Sequence, residues 1–184
     1  AYLKKRSFKS LIYWKFIVYP KYKRYMKGHL LDVGCGIGDL LNYYQNSVGA
    51  DINEDCVRYC KNIGLNAKVM KIDQLPFNNE KFDTVMFDNV LEHISNPIKI
   101  IKEIYRVMKN NSYLLTGVPG IKGFTHDDDH KVFYDKKKIN QIFEANNFEL
   151  VKNFYTPFKS NFLNNNLRQY CLHGVFLRNK SIRN

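Results

Sequence analysis

Three glycines at alternate positions, Gly34, Gly36 and Gly38, separate an apolar run, Leu30-Leu31-Asp32-Val33, from a segment that begins a helix at Leu40-Leu41 and Tyr43-Tyr44. Glycines spaced this way let the backbone turn sharply and approach a ligand where a Cβ would intrude. The start of the following helix offers free N–H groups to a ligand carboxylate. The spacing departs from the dinucleotide fingerprint G-x-G-x-x-G, because the third glycine comes one residue early and Asp39 stands in the position that pattern gives to glycine. A carboxylate there would repel a pyrophosphate.

A ligand without phosphate and with positive charge fits this turn. S-adenosylmethionine carries a sulfonium and an ammonium, and nearby acids such as Asp32 are compatible with it. Asp51 ends the next strand-like run, 17 residues after Gly34. There it can accept from both ribose hydroxyls, a feature that NAD would satisfy equally, and a helix-capping aspartate has the same geometry. Asp73 follows the third run, in Lys71-Ile72-Asp73-Gln74-Leu75-Pro76-Phe77. It can accept from an adenine amino group while Ile52 and Leu75 sandwich the ring and Gln74 lies alongside; a turn-forming aspartate is the alternative. Hydrogen bonds to charged groups contribute about 1.5–3 kcal/mol each, so losing either acid would weaken binding.

A second cluster lies in Gly120-Ile121-Lys122-Gly123-Phe124-Thr125-His126-Asp127-Asp128-Asp129-His130-Lys131-Val132-Phe133-Tyr134. His126 and His130, four apart, flank three acids. One of the histidines can take a proton from an acceptor while an aspartate orients the ring. The same residues can grip a divalent ion, or form a solvated acidic loop that His130 anchors beneath Phe133-Tyr134. His93 completes the catalytic candidates, although a histidine inside the apolar segment Val90-Leu91-Glu92-His93-Ile94 is often a satisfied local hydrogen-bonder. No metal is expected.

The elements that must position these residues alternate between strand-like and helix-period segments from His29 onward, the pattern of an α/β fold with a mostly parallel sheet. Strands are expected at 29–33, 47–51, 67–71, 82–87, 112–118, 148–156 and 169–177, with helices between the first five. The helix at 97–109 has Asn96 as cap, Pro97 at its first position and Ile100, Ile101, Ile104, Val107 and Met108 along one face, and Asn110-Asn111 stops it. Asp135 caps a helix carrying Ile139, Ile142 and Phe143. The asparagine-rich stretch 161–166 reads as a loop. The loop bearing His126 and His130 then lies over the carboxyl ends of the strands, where open α/β sheets bind ligands.

A chain of 184 residues with 45% hydrophobic content can bury one core and is short for two. Residues 1–28 are expected to form a basic, aromatic helical cap on a cofactor-binding domain over 29–184. The four cysteines lack the density of a secreted scaffold and point to a reduced, cytoplasmic protein. No apolar stretch approaches the roughly 20 residues that span a bilayer. The net charge of +12 is uneven: residues 1–27 carry nine Lys/Arg and residues 151–184 carry six, with no acid in either segment. The N-terminal segment interleaves these with Tyr13, Trp14, Phe16 and Tyr19, which can stack on bases, lie at a membrane surface, or pack on the core with the lysines solvated.

The runs Leu31-Asp32-Val33-Gly34-Cys35-Gly36-Ile37-Gly38, Gly49-Ala50-Asp51, Asp73-Gln74-Leu75-Pro76-Phe77, Phe82-Asp83-Thr84-Val85 and Val90-Leu91-Glu92-His93-Ile94 resemble class I S-adenosylmethionine-dependent methyltransferases of the small-molecule "type 11" group. The likeness covers about residues 28–157 in order and spacing. It implies a single Rossmann-like, doubly wound sheet of about seven strands, the last antiparallel, with helices on both faces. It also implies a methionine moiety lying between the glycine turn and Asp88-Asn89, with Cys35 as a further cofactor neighbour. In that family a histidine followed three and four residues later by aromatics recurs, which favours His130 over His126.

Methyl transfer from a sulfonium is an in-line displacement, so alignment can supply much of the rate, and a hydroxyl acceptor needs a positioned base. Asp88-Asn89-Val90-Leu91 replaces the Asp-Pro-Pro-Tyr or Asn-Pro-Pro-Tyr that grips a base amino group. No Pro-Cys pair is present, and nothing acidic follows Glu149. These absences make nucleic acid an improbable acceptor. The basic cap suits a small anionic acceptor, and O-methylation of a saccharide, nucleotide-linked sugar or glycan intermediate is the expectation. Lipid or quinone acceptors come next, with peripheral membrane contact through the N-terminus. RNA modification and non-catalytic cofactor binding are the rivals.

Overall fold

The computed structural model describes residues 8–179. The expected basic cap over 1–28 is therefore seen only from Phe8 onward; its first seven residues lie outside the described residues.

Seven strands form one sheet in the order β3-β2-β1-β4-β5-β7-β6. They are β1 (Leu30–Val33), β2 (Ser47–Asp51), β3 (Ala67–Val69), β4 (Phe82–Asp88), β5 (Met108–Pro119), β6 (Phe148–Thr156) and β7 (Cys171–Arg178). Strands β1 to β5 pair in parallel, and β7 runs antiparallel between β5 and β6. The chain winds outward from β1 to β3 and then returns to β4 on the other side of β1, leaving a crevice at the carboxyl ends of β1 and β4.

Successive strand residues point to opposite faces, and both faces here are apolar. Leu31, Val33, Val85, Phe87 and Leu114 join one core cluster with Ile100, Ile101 and Ile104 of α5 (Ile98–Val107) and Ile139 and Phe143 of α7 (Lys136–Glu144). Their neighbours Leu30, Met86 and Leu115 join a second cluster with Val18, Tyr19, Tyr22, Tyr25 and Met26. The N-terminal segment thus packs as part of the core, with Lys15, Lys21, Lys23 and Lys27 to the outside. Burial of a large apolar side chain contributes roughly 1.5–3 kcal/mol, and Tyr22 is wholly buried.

That segment is one interrupted helix: α1 (Phe8–Tyr13) continues through a π-helical stretch (Trp14–Val18) into α2 (Tyr19–Tyr22). Pro20 has no N–H for the carbonyl one turn back, and its ring crowds that turn. The wider π turn accommodates it, with Tyr19 N–H donating to the Trp14 carbonyl. No helix of the described residues is long and apolar enough to cross a membrane.

Two expectations are corrected. No helix joins β3 to β4. Residues 70–81 form a turn and loop whose Leu75 and Phe77 carbonyls accept from the Arg106 guanidinium of α5 rather than from helical N–H groups. The asparagine stretch is not a loop but α8 (Asn161–Asn166). Ser160 caps it by accepting from Leu163 N–H, and the Asn165 and Asn166 side-chain amides donate to carbonyls four residues back. Asp135 caps α7 as expected, and at the start of α5 Asn96 Oδ1 accepts from Ile98 N–H at 3.4 Å, a long capping bond.

Candidate active site

The glycine turn leaves β1 with Gly34, Gly36 and Gly38 at φ values of 78°, 51° and 83°. A Cβ on Gly34 would lie 2.4 Å from Val90 Cγ2 and one on Gly38 2.6 Å from Leu65 Cδ1. At Gly36 it would meet nothing within 4 Å, so the turn is open to a ligand there. Asp51, 8% exposed at the end of β2, holds the turn: Oδ2 accepts from Gly36 N–H at 2.8 Å and Oδ1 from Asn53 N–H at 2.8 Å. Each oxygen keeps a further lone pair for ribose hydroxyls. The helix cap here is Asn53, which accepts from Asp55 and Cys56 N–H at the start of α4 (Glu54–Asn62).

A cavity of about 170 Å³ opens beside the turn, lined by Asp32, Gly36, Asp39 and Asp88 and by Trp14 and Tyr19 from the N-terminal helix. Asp32 is 7% exposed. Asp88 Oδ1 is buried without a hydrogen-bond partner, 3.6 Å from His173 Nδ1. Two buried carboxylates, one under-satisfied, suit the ammonium of adenosylmethionine, so the residues present fit that cofactor. Cys35 is buried, and its hydrogen bond with Cys60 together with burial pushes its thiol far up, leaving a neutral packing group. Asn89 adopts a left-handed backbone (φ 52°), donates its N–H to the Gly117 carbonyl and its side-chain amide to Asp88 Oδ2.

The adenine side is looser. Ile52 is 59% exposed and free to cover a ring, but Leu75 lies in the core, so of the expected sandwich only Ile52 presents an open face. Asp73 is half-buried in a turn closed by bonds between Lys71 and Gln74, and Lys99 Nζ stands 3.3 Å from its Oδ2. Gln74 is exposed.

Next to the cofactor cavity lies a larger one of about 570 Å³. It is lined by Trp14, Asn89, Glu92, His93, His126 and His130, with Arg168 at its edge. Glu92 and His93 come from a short 3₁₀ turn (Leu91–His93) just after β4. Two hydrogen bonds, from Lys131 and Val132 N–H to the Glu92 carbonyl, tie the loop bearing His130 to that turn. His130 Nδ1 lies 2.9 Å from the Phe124 carbonyl and so carries the proton; its bare Nε2 is 3.8 Å from Glu92 Oε1. His93 Nδ1 lies 3.3 Å from the Asp129 carbonyl, and the two imidazoles approach to 4.6 Å. Burial, and then the neighbouring His130, lower the His93 pKa. Burial raises the Glu92 carboxyl to about 8. His126 is exposed at the rim.

The structure therefore brings His93 and His130 together and leaves His126 apart. The sequence reading missed Trp14, Tyr19, Glu92 and Arg168. An acid flanked by Val90, Leu91, His93 and Ile94 was the available signal for Glu92; nothing local pointed to the other three.

A family model described as a methyltransferase domain matches residues 31–116. An uncharacterised protein of Methanocaldococcus jannaschii is 29% identical over 126 residues, 68% of this chain and 60% of that protein. A human protein named probable tRNA methyltransferase 9B is 32% identical over 107 residues, 53% of this chain and 24% of its own length. The chain thus spans less than two thirds of these relatives. A chain from the Haloferax volcanii complex of the Trm112 methyltransferase activator with a methyltransferase superposes at a TM-score of 0.74 over 93% of each chain, at 14% identity, a likeness of fold. With the glycine turn, the buried acids and the strand order in agreement, the chain contains a methyltransferase domain of the class I S-adenosylmethionine-dependent type.

Proposed function

We propose that the protein methylates a hydroxyl of a small anionic acceptor, a saccharide or nucleotide-linked sugar, held in the cavity between Asn89 and Arg168. The observation that carries this reading is the cavity itself. Its volume of about 570 Å³ falls in the range of small-molecule sites, it adjoins the cofactor turn through Trp14 and Asn89, and Arg168 supplies a cation for an anionic group.

When bound, adenosylmethionine supplies the electrophilic methyl. Asp51 accepts from the ribose hydroxyls, and Asp32 and Asp88 hold the ammonium end. Trp14 and Tyr19 shield the methionine side from water. The His93–His130 pair lies on the acceptor side, and the His130 Nε2 lone pair receives the hydroxyl proton as the oxygen attacks. His126, at the rim, meets the acceptor on entry.

The test is transfer of labelled methyl from adenosylmethionine to a pool of nucleotide sugars. Incorporation that falls by two orders of magnitude or more in His130→Ala, with S-adenosylhomocysteine affinity unchanged, supports the assignment. Full activity in that variant overturns it. A second reading, an RNA acceptor, draws on the human relative's name and on the acid-free basic segment before Gly28. It predicts RNA binding that falls steeply with salt, and no gel shift at about 50 mM salt would remove it.

A further inference from the structure

We propose that Glu92, His93 and His130 bind one divalent transition-metal ion of the zinc class at the floor of the acceptor cavity. One ligand atom from each residue already lies within 4.8 Å of the other two. An ion with ligand bonds of about 2.0–2.1 Å holds tetrahedral donors about 3.3 Å apart. The three groups need close by at most about 1.5 Å, within reach of side-chain rotations.

Both imidazoles keep a nitrogen available for an ion. His130 turns Nδ1 to the Phe124 carbonyl and His93 turns Nδ1 to that of Asp129, so each outer N–H is engaged by backbone and each Nε2 keeps its lone pair. Outer N–H groups anchored on carbonyls are the usual support of metal-ligating histidines. The Phe124 ring, stacked on His130 at 5.3 Å, fixes that imidazole further.

The carboxylate supplies the independent observation. Glu92 is 1% exposed, and its Oε2 is buried with no hydrogen-bond partner. A buried acid without Lys or Arg is costly unless a partner or a metal compensates it. Among the described residues its only ion-pair neighbour is the Nε2 of His130 at 3.8 Å, too far for a hydrogen bond. A cation between the two would satisfy both. Two nitrogens and one oxygen suit zinc-like ions better than magnesium, which prefers six oxygens. Three protein ligands leave the fourth position open to the cavity. Asp127 Oδ2, 4.0 Å from His130 Nε2 and half exposed, stands beside the ligand set.

Ion binding follows from this geometry alone; its consequence for turnover rests on the hydroxyl methylation proposed above. The open position would take the acceptor oxygen and lower its pKa. The hydroxyl proton leaves to solvent and the oxygen pair forms the O–CH₃ bond. The S–CH₃ bond breaks with its pair retained on sulfur, giving the neutral thioether. With the ion bound, the His130 Nε2 lone pair holds the metal, and the proton-acceptor role given to it above belongs to the metal-free protein.

The test uses protein stripped with a chelator and loaded with S-adenosylhomocysteine, titrated with Co²⁺ and followed by its visible absorption. One equivalent should produce a tetrahedral band that Zn²⁺ displaces. Glu92→Gln should weaken binding on the order of 100-fold and His93→Ala, at a half-buried position, by at least tenfold, with S-adenosylhomocysteine affinity retained as the control for folding. No band in the native sequence, or undiminished binding in both variants, overturns the site. If Co²⁺ binds and no hydroxyl acceptor is methylated, the site stands and the acceptor reading fails. If stripped protein methylates sugars at full rate while His130→Ala does not, the proton-acceptor role stands and the metal role falls.

Discussion

On the β1–β3 side, the cofactor turn is a short stretch fixed by bonds to itself and to the end of the adjacent strand β2. Gly34 and Cys35 donate to the Ala50 carbonyl, Gly36 to Asp51 and Gly38 to Cys35. On the β4–β7 side, the acceptor cavity draws on four distant segments: Trp14, the turn after β4, the loop bearing His126 and His130, and Arg168 between α8 and β7. The turn is a short peptide held on its neighbouring strand; the acceptor cavity is a convergence of side chains. A local site tolerates little change in backbone and much in its surroundings, whereas a convergent one depends on the bonds that keep its loops in register.

The largest effect that separates the two halves is expected from His130→Ala. It should cost at least 10²-fold in turnover, the contribution of a positioned proton acceptor or metal ligand, and leave cofactor affinity unmoved. A parallel fall in S-adenosylhomocysteine affinity, measured by calorimetry, would show that the halves are coupled. Next comes Gly34→Ala, which places a side chain at φ 78° and a methyl 2.4 Å from Val90 Cγ2. Strain of about 1–3 kcal/mol is expected, read as a lower denaturation midpoint and weaker cofactor binding. Because Val90 precedes the turn that bears Glu92 and His93, this substitution also tests whether displacing the glycine turn moves the acceptor side.

The same contrast decides what was legible in the sequence. Apolar runs marked the seven strands within a few residues, since strands buried on both faces read as near-continuous apolar runs. The glycine turn was visible because spacing along one strand-turn-helix fixes its geometry, and Asp51 because it ends the next strand-like run, whereas Asp88-Asn89 came from the family resemblance alone. The absence of a helix between β3 and β4 was hidden, because it depends on Arg106, about 30 positions further on, satisfying the loop's carbonyls. Helix α8 was hidden because one cap at Ser160 outweighed the low helix propensity of asparagine. His126 and His130 read as a pair through their spacing of four, yet the chain between them forms a turn rather than a helix, and His130 faces His93 instead.

Asp51→Ala should weaken cofactor binding by about 1.5–3 kcal/mol, through loss of the Gly36 and Asn53 contacts as well as any to ribose. Asp73→Ala should cost less than about 1 kcal/mol, because the acid is half-exposed and pairs only loosely with Lys99. Calorimetry on the two variants ranks them, and equal losses would mean that the adenine side is as rigid as the ribose side.

The smallest effect tests the staple that ties the loop bearing Asp73 to α5. Glu103 of α5 accepts from Leu75 N–H at 2.9 Å and pairs through both oxygens with Arg106, which in turn holds the Leu75 and Phe77 carbonyls. The Arg106 guanidinium keeps the Glu103 carboxyl below its usual range. A carboxyl whose folded pKa is depressed contributes stability that is present above its unfolded pKa, about 4.3, and is lost as pH falls through the lower folded value. The pair is partly exposed, so the contribution is expected below about 1 kcal/mol. Urea titrations should therefore show Glu103→Gln less stable than the native sequence at pH 7 and converging with it toward pH 3. A difference that persists at pH 3 would assign the staple to packing rather than to charge, and the loop bearing Asp73 would then owe its position to the buried Leu75 and Phe77 instead of to α5.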